Sequence, residues 1–185
     1  MSRQRGLLVL LWGSLCLPAL GQQNCPLPPS LLSAPTAENI FSDQQEIDLG
    51  DAMAETIALH VNIIKDDELS AHLRELGNKL VQYLPPTKLN FRFYLIDIPE
   101  VNAFSIAGGR VYISRKVMAF AKNDDEVAGI LAHELGHIVT HQAAIEITRS
   151  FREILGVTQV GDRDDVFRKF HQLVENARRR PALAW

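Results

Sequence analysis

His133, Glu134 and His137 spell His-Glu-x-x-His within NDDEVAGILAHELGHIVTHQ, residues 123–142. Val127, Ile130, Leu131, Leu135 and Ile138 recur at helical spacing through the same stretch, so all three polar residues are expected on one largely buried helix. Side chains four apart on a helix share a face, their Cβ atoms about 5–6 Å apart. Two imidazoles at that spacing can converge on one zinc ion at nitrogen–metal distances of about 2.0–2.1 Å. Glu134 projects about 100° further round, beside an open coordination position. There it can take a proton from zinc-bound water, whose pKa the metal lowers to about 7, and pass it to a leaving amine. The competing reading is a structural pair of histidines. A buried helix rarely carries such groups unpartnered, since each unpaired polar group costs several kcal/mol in a core.

His141 lies eight residues beyond His133, about 12 Å along a straight helix. It is therefore read as a residue beside the site and not as a third ligand. Thr140 and Ala143 stand where the bent metzincin pattern requires glycine and histidine, which excludes that class. Gly136 inside a helix costs about 1 kcal/mol relative to alanine, so a close approach to the backbone is expected there.

The elements that must position these residues are legible around them. Asn123 with Glu126 three residues on predicts a capped start for the helix, which is expected to run to about Ile147. Ser42 with Gln45 predicts another start, and Ile47, Ala54, Ile57, Val61 and Ile64 continue at helical spacing. A helix from Glu68 to Leu84 places Leu69, Leu73, Leu76 and Leu80 on one face and stops at Pro85-Pro86. LNFRFYLIDI alternates, with Phe91, Phe93 and Leu95 opposite Arg92, Tyr94 and Ile96, as a strand does. Gly108-Gly109 marks a sharp turn into a second strand, Arg110 to Ser114, and a short helix follows from Arg115 to Ala121. A last amphipathic helix begins near Asp164 with Val166, Phe170, Leu173 and Ala177 inward. The class is α+β, mostly helical, with a small sheet beside the His-Glu-x-x-His helix.

With 185 residues, the chain has room for one domain with a real core. Residues 1–21 read as a signal peptide: Arg3 and Arg5, the apolar run Leu7 to Leu17, then Ala19-Leu20-Gly21. That run is too short for a stable membrane span, which needs about 20 apolar residues. Residues 22–37 read as a Pro-rich linker and 38–180 as the catalytic domain. Cys25 is the one cysteine after residue 21, so no internal disulfide is expected. A net charge of −3 argues against a nucleic-acid partner. Nothing in the sequence specifies an oligomeric state.

Three segments together resemble a known family in order: SDQQEIDLG, VNAFSIAGGRVYISRKVM and DDEVAGILAHELGHIVTHQ. They are similar to the HtpX/BepA-like zinc metallopeptidases, a gluzincin group with a zincin-like domain. The resemblance covers about residues 40–150. It implies one zinc ion held by His133 and His137, with Glu134 as the catalytic base. It also implies that the strand holding Gly109, Val111 and Tyr112 borders the substrate cleft, where an exposed edge could pair with an extended polypeptide. The family's third ligand is a glutamate on a later helix, in a Glu-x-x-x-Asp pattern. Downstream only Glu175 offers itself, as a weak substitute, with Arg179 at the aspartate position. The third ligand is then expected beyond Trp185. The function implied is a secreted or periplasmic metalloendopeptidase acting on misfolded envelope proteins. A non-catalytic chaperone or binding module on the same scaffold is the alternative, and a metal-free helical interaction domain is a third reading.

Overall fold

The computed structural model describes residues 38–65 and 68–179. The segments read as signal peptide and linker, with Cys25, lie outside them. The elements run α1 (Asp43–Ala58), β1 (Asn62–Ile64), α2 (Glu68–Val81), β2 (Arg92–Asp97), β3 (Ala103–Ile106), β4 (Arg110–Ser114), α3 (Arg115–Phe120), α4 (Asp124–Val139), α5 (Gln142–Ser150) and α6 (Arg163–Arg179). A π-helical turn, Phe151–Leu155, extends α5. This is the α+β arrangement expected, helices around one small mixed sheet.

The sheet order is β1-β2-β4-β3. β4 pairs parallel with β2 and antiparallel with β3, and β1 pairs antiparallel with the far edge of β2. Strand alternation gives the sheet two apolar faces. Phe93, Leu95, Val111 and Ile113 pack with Leu73 and Leu76 of α2 and Leu131 and Leu135 of α4. Ile96 and Tyr112 face the other way, toward Met53, Ala54 and Ile57 of α1. Tyr94, Tyr112 and Phe104 lie opposite one another on three adjacent strands. Their rings stack at centroid separations of 4.9 Å each, the cross-strand pairing that stabilises a sheet face. A third cluster joins Phe41, Leu49 and Ala52 to Ala144, Ile147 and Phe151 and to Val166 and Phe170 of α6.

Polar contacts fix these layers laterally. The expected capping box forms at Ser42, and the amide nitrogen of Gln45 goes on to donate to the carbonyls of Val160 and Gly161. Arg110 on β4 is 4% exposed and pairs with Asp51 on α1. Arg163 of α6 bridges the same Asp51 at 2.6 Å and Asp48 at 2.8 Å. Burial pushes the Asp51 carboxyl up, but the hydrogen bonds and charges of Arg163 and Arg110 outweigh it and hold the pKa below the usual range.

α2 ends at Val81, three residues short of the expected Leu84. Three further elements depart from the sequence reading. α1 ends at Ala58, and the apolar residues that continued its pattern turn into β1, where Ile63 and Ile64 pair with Ile96 and Leu95. The β-branched pair gains ladder hydrogen bonds and a half-buried place on the sheet, which outweighs local helical periodicity. Ala103–Ile106, to which the sequence reading assigns no element, is a strand, because the Gly108-Gly109 turn folds it back on β4. Both glycines have positive φ, 72° and 86°, a conformation that glycine adopts without steric cost. Finally, α4 stops at Val139 and does not reach Ile147. His141, with φ 55°, breaks the run and starts α5 in a new direction.

Candidate active site

The catalytic-type residues ride on α4, whose start is set locally. Asn123 Oδ1 accepts from the Glu126 backbone N–H at 3.0 Å, and Glu126 Oε2 accepts from the Lys122 N–H at 3.0 Å. Asp124, Asp125 and Glu126 fill the first turn and suit the positive end of the helix dipole. Val127, Leu131, Leu135 and Ile138 are buried and lock the helix against the sheet and α2. That leaves the His133 and His137 rings at the rim of a cleft of about 330 Å³, between α4 and β3.

The two imidazoles converge. His133 Nε2 and His137 Nε2 are 2.9 Å apart, with the ring planes 85° to one another. Glu134 is 6% exposed, and one donor atom from each of the three residues lies within 4.8 Å of the others. Among the described residues no other His, Cys, Asp or Glu group is this compact. The two nitrogens suit two positions of a divalent ion, one protein ligand short of the usual catalytic zinc site. Two nitrogens sharing a tetrahedral ion at about 2.0–2.1 Å stand about 3.3 Å apart, so a small ring rotation opens the space. His137 also lies in the last turn of α4, where the negative end of the dipole favours a cation.

Around this trio lie residues that the sequence reading did not assign. His137 Nδ1 hydrogen-bonds Gln142 Oε1, and Gln142 Nε2 donates to Glu146 Oε1 at 3.2 Å. Both partners sit on α5, brought behind His137 by the break at His141. Only the four-residue spacing of Gln142 and Glu146 hinted at their pairing. His141 lines the same cleft but is not part of the compact trio. Its Nδ1 donates to Glu46 Oε2 at 2.6 Å, and Glu46 on α1 is 2% exposed. The bond to Glu46 raises the His141 pKa, against the opposing effect of burial.

The strand bordering the cleft is β3. Gly109 precedes β4, and Val111 and Tyr112 lie within it. β4 is buried along its length and paired on both sides, so it has no free edge. Burial pushes the Tyr112 phenol up to about 12. Residues 103–107 line the cleft instead. The Ser114 N–H bonds to the Asn102 carbonyl. By strand alternation, Asn102 and Phe104 then point their backbone groups at β4, while Ala103 and Ser105 point theirs to the open edge. Glu175 is exposed on α6, where its Oε2 accepts from Arg179 Nη2 at 3.2 Å, and it is not brought to the metal-type cluster. Gly136 was expected to admit a close neighbour, yet a Cβ placed there would meet nothing within 4 Å.

Two imidazoles and a carboxylate on one helix, beside a sheet edge that is unpaired among the described residues, define the class: an α+β metallopeptidase domain. The chain belongs to peptidase family M48, whose family model matches residues 65–178. It is 31% identical over 104 residues to the beta-barrel assembly-enhancing protease of Yersinia pestis, covering 56% of this chain and 21% of that protein. It is 29% identical over 109 residues to the Escherichia coli (strain K12) protein of the same name, covering 59% and 22%. Metalloprotease YcaL of Escherichia coli (strain K12) is 29% identical over 87 residues, covering 47% of this chain and 33% of that protein. The chain thus spans about a fifth of the length of the first two relatives. Among the described residues no helix is long and apolar enough to cross a membrane.

Proposed function

We propose that the protein is a zinc-dependent metalloendopeptidase that cleaves extended segments of misfolded or unfolded polypeptides. The observation that carries this reading is the convergence of His133 Nε2 and His137 Nε2 at 2.9 Å with Glu134 packed beside them. His133 and His137 would hold the ion. When bound, zinc supplies Lewis acidity toward the scissile carbonyl and makes hydroxide available near neutral pH. Glu134 takes the proton of the attacking water and returns it to the departing amine. The free edge of β3 at Ala103 and Ser105 would pair with the substrate backbone, which gives affinity with little sequence selectivity. The signal-type segment at residues 1–21 and the relatives named for β-barrel assembly support a site of action in the bacterial periplasm or envelope.

The Glu134→Gln variant tests this reading. It should retain zinc binding, measured by metal analysis, while casein hydrolysis falls by about 100- to 10,000-fold, the usual contribution of a general base. Undiminished hydrolysis would remove Glu134 from the chemistry. Intact zinc-free protein that binds unfolded polypeptide without cleaving it would instead establish a binding module on this scaffold.

A further inference from the structure

Glu146, Gln142 and His137 form a chain at the cleft surface whose polarity follows from which groups can donate. A carboxylate only accepts, so the Gln142 amide must turn its NH₂ toward Glu146, to which it donates at 3.2 Å. Its carbonyl oxygen then necessarily faces His137 Nδ1. An oxygen there accepts only from N–H, so His137 carries its proton on Nδ1. The lone pair is left on Nε2, the atom that faces His133 Nε2. We propose that Gln142 and Glu146 are positioning residues that fix the Nδ1–H tautomer and ring angle of His137, and thereby present Nε2 as a ready metal ligand. The proposal rests on the metallopeptidase reading of the site.

The fold places this chain with some care. Gln142 is the first residue of α5 and follows directly on His141, whose positive φ swings the backbone round. Were α4 straight, residue 142 would project from a turn beyond His137 and its amide could not lie behind the ring. Glu146 follows one turn later on the same face of α5, and both residues line the cleft. Glu146 is linked to His137 through Gln142 and is not part of the compact group of His133, Glu134 and His137. A free imidazole in water favours the Nε2–H form modestly, and that form has no lone pair on the metal-facing atom. A protein group bonded to the other nitrogen removes this obstacle before the metal arrives.

The test uses zinc-free protein first. Long-range ¹H–¹⁵N spectra of wild-type protein should show His137 as the Nδ1–H tautomer. Gln142→Leu, which removes the partner, and Glu146→Gln, which removes the direction, should shift His137 toward Nε2–H. Zinc affinity should weaken by about 10- to 100-fold in both, the usual cost of losing an outer partner of a ligating histidine. The decisive variant exchanges the two, Gln142→Glu with Glu146→Gln. There Glu at 142 accepts from His137 Nδ1 and Gln at 146 donates to it, so the chain keeps its polarity and affinity should return to within about threefold of wild type. A role in packing alone would not distinguish Glu146→Gln from the exchange. An unchanged His137 tautomer in both single variants, or an exchange variant as weak as they are, overturns the proposal. Failure of wild-type protein to bind zinc would instead overturn the metallopeptidase reading, and the tautomer spectra would still decide the positioning role.

Discussion

His141 and Glu46 lie 95 residues apart and meet at 2.6 Å, both largely buried. This pair holds a histidine at φ 55°, a left-handed conformation that costs a non-glycine residue about 1–2 kcal/mol. The bond to α1 offsets that strain and sets the angle between α4 and α5, on which the position of Gln142 behind His137 depends. A hydrogen bond to a charged group contributes about 1.5–3 kcal/mol, so His141→Ala should destabilise the fold by that order in urea unfolding.

The same pair gives stability a pH dependence of known sign. The His141 pKa is raised, first by its hydrogen bond to Glu46. A raised pKa in the folded state gives stabilisation that is complete below the unfolded value of about 6.5 and is lost as pH rises through the folded value. The melting temperature of the wild-type protein should fall across that alkaline-going window. In His141→Ala this component should vanish, and an equal slope in both proteins would assign the effect to other groups.

Gly136 is free to change. Apart from its chain neighbours and the backbone of its own helix, no atom of the described residues lies within 4 Å of the position its Cβ would take. Gly136→Ala should therefore gain helix propensity, about 0.5–1 kcal/mol, and raise the melting temperature by about 2–4 °C. A fall in melting temperature would show that the surroundings of this turn are tighter in solution.

Gly50 is the opposite case. A Cβ there would lie 2.1 Å from the carbonyl oxygen of Ala107, which belongs to the β3–β4 turn. Backbone cannot move aside cheaply, so Gly50→Ala should cost about 1–3 kcal/mol. Because Ala107 also lines the cleft, the displaced turn should lower peptide hydrolysis as well. Wild-type stability in the variant would mean that α1 and the turn can separate without penalty.

Ser105 tests the edge-strand reading of the cleft. Its N–H faces away from β4, and proline is tolerated where a strand's donor points outward. Ser105→Pro should preserve the fold by circular dichroism. Loss of one substrate hydrogen bond, about 0.5–1.5 kcal/mol, should lower kcat/KM for peptides by about three- to tenfold. Unaltered kcat/KM would place the substrate elsewhere.

His133, Glu134 and His137 were legible because the chemistry is local. Their mutual placement follows from helical geometry alone, and the apolar residues between them say which face is buried. The caps at Ser42 and Asn123, the β2 alternation and the glycine turn before β4 are local for the same reason. Tertiary structure decided what local pattern cannot express. β1 and β3 are strands because partners distant in sequence offer them a ladder, and β3 takes the cleft edge because β4 is enclosed on both sides. The break at His141 has little signature in residue type, since histidine, though enriched among non-glycine residues at positive φ, adopts it in only a small minority of cases. The partner of His141, Glu46, lies on another helix 95 residues away. The turn at His141 brings Gln142 to His137, with Glu146 one turn further along α5.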